Sequence, residues 1–117
     1  MGSTRVFDFK GSGLLDLYPL VVQTDIAELE IRFVDDDLNV GPHALAFKRS
    51  ADFRYISFES CSAEHVEAYD AVNVVEPSEW LNGRPGRPYG LQHFRMFFDD
   101  YGCIEVLAVE FAVVSAP

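Results

Sequence analysis

Three side chains that could take part in acid–base chemistry lie near the C-terminus: His93, Arg95 and Glu105. His93 and Arg95 are two residues apart, so they share one face if this segment is a β-strand. Glu105 would face them across an antiparallel pair. Because histidine titrates near neutral pH and a carboxylate can orient it, the trio could serve general acid–base catalysis. Polar groups of this kind are also common on solvated sheet faces, and this second interpretation predicts no catalytic residue.

The histidines and the longest acidic run do not follow a known metal-binding pattern. His43, His65 and His93 are not spaced as in HxH or HExxH motifs. The side chains of Asp35, Asp36 and Asp37 cannot all converge on one Ca²⁺ ion, and the alternate spacing of an EF-hand is missing. We therefore expect an acidic solvated turn there, or a docking patch for a cationic partner. We expect no metal and no cofactor.

The two cysteines and the N-terminal segment indicate a cytoplasmic protein. The first eight residues carry no apolar core typical of a secretion signal. No apolar run approaches the ~18 residues that span a bilayer. Cys61 and Cys103 are therefore expected to be reduced thiols. Because Cys61 follows Glu59 and Ser60, its acidic surroundings should raise its pKa and make it a poor nucleophile.

The net charge of the chain favours some kinds of binding partner over others. Nineteen carboxylates against nine Lys and Arg give a formal charge of −10. Nucleic acids and anionic membranes bind proteins through basic faces, so both are disfavoured as partners. An acidic surface attracts a basic protein instead.

One segment combines charge with the residue types that dominate protein interfaces. Six carboxylates and no Lys or Arg lie between Glu59 and Glu79, and the only tryptophan, Trp80, follows directly. The loop after it carries Arg84, Arg87 and Tyr89. Trp, Tyr and Arg are enriched in binding hot spots, although Trp80 could equally be a core residue beside a soluble acidic face. The candidate partner-binding residues are Asp35, Asp36, Asp37, Glu64, Glu67, Asp70, Glu76, Glu79, Trp80, Asp99 and Asp100.

A β-hairpin would position the first trio. Residues 92–98 and 103–109 are two apolar segments joined by a turn in which Gly102 adopts a positive φ. Both arms are apolar on much of both faces, which is typical of central strands covered on both sides. The alternating apolar side chains of Leu29–Phe33 predict a further strand with one buried face.

The remaining pattern predicts a mainly β protein. Strands are expected at 5–9, 43–48 and 53–59, and within 14–24, where Pro19 splits the segment or places it on a sheet edge. Residues 62–75 are predicted to form a strand, or a short helical turn that leads into one. Residues 82–90 are rich in Gly and Pro and predict a loop. We therefore expect a single β-rich domain over residues 1–117: an antiparallel β-sandwich or strongly curved sheet of about seven strands, with at most one short helix.

Several segments together resemble a known class of small proteins. Leu29–Phe33, Ile56–Glu59, Pro77–Leu81 and His93–Val106 are similar in style to small acidic bacterial immunity-type proteins of polymorphic or contact-dependent toxin systems. The resemblance spans residues 28–110 and assigns no role to any single residue. It implies a non-catalytic cytoplasmic inhibitor of one cognate toxin domain. Where that toxin is a nuclease, its basic active site would attract an acidic inhibitor.

Two other functions remain open from the sequence. A small enzyme or a small-ligand-binding β-sandwich would use His93, Arg95 and Glu105, and a concave pocket lined by them would favour it. A structural subunit or homo-oligomer would instead join through sheet edges or exposed aromatic residues. The leading expectation is a toxin-neutralising protein that binds a basic partner through its acidic patches.

Overall fold

The structure, a computed structural model, describes residues 2–86 and 89–116, so Arg87 and Pro88 of the predicted loop lie outside the described residues. The described part of the chain contains seven strands, two four-residue α-helices and one 3₁₀ turn, Phe58–Ser60. In chain order the strands and α-helices are β1 (Gly2–Asp8), β2 (Tyr18–Asp25), β3 (Glu28–Val34), β4 (His43–Ser57), α1 (Ala63–Val66), β5 (Ala71–Glu76), α2 (Glu79–Asn82), β6 (Gln92–Phe98) and β7 (Gly102–Ser115).

All seven strands belong to one open antiparallel sheet in the order β1-β5-β6-β7-β4-β3-β2. The prediction of a mainly β chain with about seven antiparallel strands is confirmed. Strand β7 is central and pairs with β6 on one side and β4 on the other. None of the described helices is long and apolar enough to cross a membrane.

The sheet curves strongly around its apolar core. Phe33 on β3 and Phe98 on β6 lie three strands apart, which in a flat sheet means about 14 Å. Their ring centroids are nevertheless 5.9 Å apart. Phe9 lies against both rings, at 5.5 Å from Phe33 and 5.7 Å from Phe98. The open sheet therefore bends until side chains three strands apart meet on its concave face, and of the two expected architectures the curved sheet is the one observed.

Strand β4 joins two segments that the sequence predicts as separate strands, 43–48 and 53–59. It runs over 15 residues and ends at Ser57, with an irregularity between Ser50 and Asp52 where its pairing with β7 shifts. The last two residues of the predicted strand, Phe58 and Glu59, lie instead in a 3₁₀ turn. The polar residues at the irregularity resemble a turn in the sequence. The shift adds a bulge, which changes which side chains of β4 face which side of the sheet.

The predicted effect of Pro19 on its segment is observed at the edge of the sheet. Pro19 lies in β2, at the edge of the sheet, where a missing N–H costs no ladder hydrogen bond.

Residues 62–75 contain both predicted elements, because α1 is followed by β5. The second helix, α2, exceeds the predicted maximum of one. Its first turn is capped by the Ser78 side chain, which accepts a hydrogen bond from the Leu81 N–H. The sequence does not reveal this helix because four residues are too few to show helical periodicity.

The β6–β7 turn needs a glycine. Gly102 has a φ of +129°, as the sequence predicts, and a Cβ there would lie 2.2 Å from the carbonyl oxygen of Ile56 on β4. The hairpin can therefore approach β4 only if residue 102 has no side chain.

Side chains alternate between the two faces of the β6–β7 hairpin. Phe94, Met96 and Phe98 point into the main core. His93 and Arg95 belong to the opposite face and are also buried, and α1 and α2 both contact β6. The predicted double coverage of the hairpin is therefore observed, and the second face holds the polar residues.

Candidate functional site

A fully buried carboxylate occupies the centre of the sheet. Glu105 on β7 is opposite Arg54 on β4 and Arg95 on β6, so one row across three strands carries all three charges. Its Oε1 lies 2.6 Å from Nε and from Nη2 of Arg54. Its Oε2 accepts a hydrogen bond from Nε of Arg95 and lies 3.1 Å from Nε2 of His93. We call Arg54, His93, Arg95 and Glu105 the buried charge cluster.

The expectation of an ordinary solvated face for this trio is wrong. His93, Arg95 and Glu105 are 2 %, 5 % and 0 % exposed. Burial is tolerated because each charge has a partner: desolvation raises the pKa of Glu105, but the donors on His93 and Arg95 outweigh it and lower the pKa to about 2. Buried charges are stable only when paired in this way.

Trp80 connects the cluster to the surface. Its indole ring lies 4.0 Å from Cζ of Arg54, in cation–π geometry, and its centroid is 5.3 Å from the ring of His93 in an edge-to-face contact. Arg54 therefore lies against both Trp80 and Glu105. Trp80 is half-buried on α2, so it forms a wall of the site and not part of the main core.

Ser78, which no motif in the sequence marks, contacts the cluster through His93. Its Oγ lies 2.6 Å from Nδ1 of His93 and accepts a 3.0 Å hydrogen bond from the Leu81 N–H. Since the oxygen accepts from Leu81, its own proton is free to be donated to Nδ1. In the tautomer with an unprotonated Nδ1, the imidazole proton is on Nε2, which lies 3.1 Å from Glu105 Oε2 but is not aligned for a hydrogen bond with it.

These residues border a cleft of about 690 Å³. Its floor consists of the buried residues Ser78, His93 and Arg95. Three exposed carboxylates form its acidic rim, and the nearest of them to a cation is Glu64, with Oε1 3.4 Å from Nη1 of Arg95. The full lining is Arg54, Glu64, His65, Glu67, Val75, Pro77, Ser78, Glu79, Trp80, His93 and Arg95.

The cleft is acidic overall. Three rim carboxylates and the underlying Glu105 face two guanidiniums, those of Arg54 and Arg95, which leaves a formal charge of −2 with the histidines neutral. Glu105 is committed to both arginines. The exposed rim carboxylates therefore determine what charge the cleft attracts.

Four of the predicted partner-binding residues meet at this cleft: the rim carboxylates Glu64, Glu67 and Glu79, and Trp80. Others lie elsewhere. Asp70, Asp99 and Asp100 line a second cleft of about 340 Å³, where burial, together with nearby carboxylates, raises the pKa of Asp70. Glu76 is exposed at the end of β5.

The acidic run Asp35–Asp37 forms the turn after β3. The carboxylate of Asp35 accepts hydrogen bonds from the N–H groups of Asp37 and Asn39, each at 2.9 Å, and the bond from Asn39 contributes most to lowering its pKa. Asp35 therefore stabilises its own turn, while Asp36 and Asp37 are exposed. The expectation of an acidic turn is met, and the three side chains do not join the other candidates at either cleft.

One group of side chains has the spacing of metal ligands, but its electrostatics oppose a cation. Ligand atoms of His65, Cys103 and Glu105 lie within 4.8 Å of one another. Glu105 is already bound by two guanidiniums, and a metal would have to displace or repel them. Burial, reinforced by the charge of Glu105, raises the pKa of the Cys103 thiol far above its usual range. A neutral thiol is a poor ligand.

Neither cysteine is activated. Cys61 and Cys103 are unpaired thiols. The pKa of Cys61 is raised as the sequence suggests, but the main cause is burial and not the neighbouring acidic residues. Its Sγ donates to the carbonyl oxygens of Ile56 and Ser57 at 3.6 and 3.4 Å.

No protein family, curated protein or solved structure matches this chain.

Proposed function

We propose that this chain is a cytoplasmic binding protein for a basic protein partner, of the kind that neutralises a toxin domain, and that the acid-rimmed cleft is its contact surface. The convergence of Glu64, Glu67, Glu79 and Trp80 on one cleft carries the proposal. These residues come from two separate helical segments that fold against the same face of β6.

The physical basis is electrostatic attraction followed by close contact. A net charge of −10 draws a basic protein towards the chain over long range. At short range, the side chain of Glu64 is 68 % exposed and can pair with an incoming cation. Trp80 adds an aromatic wall of the type that dominates interface energetics.

The test is capture of partners from a lysate of the source organism at low and high salt. The wild-type chain is compared with E64Q/E67Q/E79Q at the rim and with D36N/D37N/D99N, which removes the same number of charges elsewhere. We expect the wild type and the second variant to retain a basic protein at low salt, and the rim variant to lose it.

Two results would overturn the proposal. Recovery of no salt-sensitive basic protein would remove the binding function. Retention by the rim variant, with loss in D36N/D37N/D99N, would move the contact from the cleft to the acidic turns.

A second candidate function, binding or conversion of a small ligand, is favoured by the floor of the same cleft. A volume of about 690 Å³ lies within the range of small-molecule sites. His93 and Arg95 supply buried polar groups beneath it. Because Trp80 is the only tryptophan, its fluorescence reports on the cleft directly. Saturable changes on titration with acetate or phosphate, lost in R54Q, would support this function, and unchanged emission would exclude these anions as ligands.

A further inference from the structure

We infer that Ser78 is the nucleophile of a hydrolytic site on the cleft floor, activated by His93 and Glu105, which acts on esters of small acyl groups. This inference deepens the second candidate function and does not depend on the protein-binding proposal. It is carried by the continuous contact chain from Ser78 through His93 to Glu105.

The direction of the hydrogen bonds suits proton transfer. The Leu81 N–H donates to Ser78 Oγ, and the hydroxyl proton can be donated to Nδ1 of His93, 2.6 Å away, when Nδ1 is unprotonated. The imidazole can accept that proton only if Nδ1 is unprotonated, which places its existing proton on Nε2. The two ring nitrogens have the reverse of their usual roles in a serine–histidine–carboxylate triad, where the serine faces Nε2 and the carboxylate faces Nδ1, but an unprotonated Nδ1 can act as general base in the same way.

Glu105 can stabilise the imidazolium that proton transfer creates. Its Oε2 lies 3.1 Å from Nε2 of His93, and the side chains of Arg54 and Arg95 hold it in place. Because it is fully buried, water does not weaken its interaction with His93. Glu105 is thus a positioning residue for His93.

The cleft gives a small substrate access to Ser78 and supplies a cation that can stabilise the reacting carbonyl group. Ser78 and His93 both line it, as does Arg54, whose side chain is 42 % exposed. A guanidinium can stabilise the negative charge that develops on a carbonyl oxygen. Val75 and Pro77 add an apolar wall beside Ser78, and Ser78 is only 4 % exposed, so we expect short acyl groups.

The reaction balances with water as the only co-reactant. Ser78 Oγ attacks the ester carbonyl carbon while its proton passes to Nδ1 of His93. The alcohol leaves with that proton, and an acyl-serine remains. Water then attacks the acyl carbon and gives a proton to Nδ1, after which the acid leaves and Ser78 Oγ regains its proton.

The experiment combines turnover of p-nitrophenyl acetate with labelling by a fluorophosphonate, located by mass spectrometry. The variant S78N keeps a side chain that can cap α2 but removes the nucleophile. H93Q removes the base. S115A, at the exposed end of β7, and H43Q, at the start of β4 and outside the cleft lining, control for nonspecific reaction of other serines and histidines.

We expect turnover about 10²-fold slower in S78N and H93Q than in the wild type, because general-base assistance is worth that much. S115A and H43Q should match the wild type, and the label should reside on Ser78. Equal turnover in S78N, labelling of another residue, or labelling of Ser78 without turnover would each overturn the inference. If S78N fails to fold by circular dichroism, the labelled position in the wild type and turnover by H93Q decide instead.

Discussion

The guanidinium of Arg54 stacks on the indole of Trp80, with Cζ 4.0 Å from the ring centroid. The same guanidinium binds the buried carboxylate of Glu105 at 2.6 Å. A side chain on a central strand therefore joins a surface helix to the most buried charge in the sheet. Changes at Arg54 should affect both the stability of the fold and the environment of the cleft.

We expect R54Q to lower the free energy of unfolding by about 2 kcal/mol, because it leaves Arg95 and His93 as the remaining partners of a buried carboxylate. The partial exposure of Arg54 and the retained Arg95 keep the loss below that of a fully buried pair. Urea unfolding followed by Trp80 emission measures it. The control is R49Q, whose ion pair with Glu110 has side chains 69 % and 54 % exposed and should contribute at most about 1 kcal/mol. Equal losses in the two variants would contradict this prediction.

Removal of Glu105 alone should be more costly than removal of the whole charged row. E105L leaves two guanidiniums without their carboxylate, and we expect a loss of about 3–5 kcal/mol. The triple variant R54M/E105L/R95M replaces all three charges by apolar side chains, so its stability should return to within about 2 kcal/mol of the wild type. Denaturant unfolding of both variants makes the comparison. A triple variant that is less stable than E105L would show that the row is needed for more than charge compensation.

Acid should destabilise the fold through Glu105. Its folded-state pKa is about 2, against an ordinary value of 4.5, so its contribution is complete above pH 4.5 and is lost as pH falls towards 2. This lowering corresponds to about 3 kcal/mol. Asp8 and Asp35 also have lowered pKa values, so the wild type must be compared with R54M/E105L/R95M between pH 5 and pH 2. Parallel pH profiles would refute the assignment to Glu105.

Substitution of the turn glycine should break the hairpin contact with β4. In G102A the new Cβ would lie 2.2 Å from the Ile56 carbonyl oxygen at a φ of +129°, and we expect a loss of about 3 kcal/mol or more. G11A is the matched control, since Gly11 also has a positive φ, of +80°, but a Cβ added there would meet no atom within 4 Å. It should lose only about 1 kcal/mol. Thermal unfolding distinguishes the two, and similar midpoints would count against a steric role for Gly102.

Local patterns in the sequence predict the strands but only part of the buried charge cluster. Alternation marks Leu29–Phe33, and the two-residue spacing of His93 and Arg95 in a hairpin places them with Glu105. Arg54 is 51 residues from Glu105, and the two meet only because β4 pairs with β7 beyond a bulge. The number of residues in that bulge decides whether Arg54 or its neighbour faces Glu105, and alternation alone does not reveal it.

The contact between Ser78, at the start of α2, and His93 depends even more on long-range packing. Ser78 reaches His93 because the chain after β5 returns across the outer face of β6. A serine before a short acidic segment signals a helix cap, and the sequence offers no sign that its hydroxyl also meets a histidine. Burial of the polar trio is hidden in the sequence for a related reason: the two helices that cover it are each only four residues long.

His93 and Arg95 belong both to the floor of the cleft and to the buried charge cluster that joins β4, β6 and β7. Any molecule that binds the folded cleft and not the unfolded chain will raise the unfolding free energy in proportion to the logarithm of its concentration. Unfolding of the wild type, compared with that of a rim variant, can therefore serve as a screen for ligands and partners. Trp80 fluorescence can report the result of this screen, because the only tryptophan of the chain lines the cleft and contacts Arg54. Both ligand binding and unfolding change the surroundings of its indole.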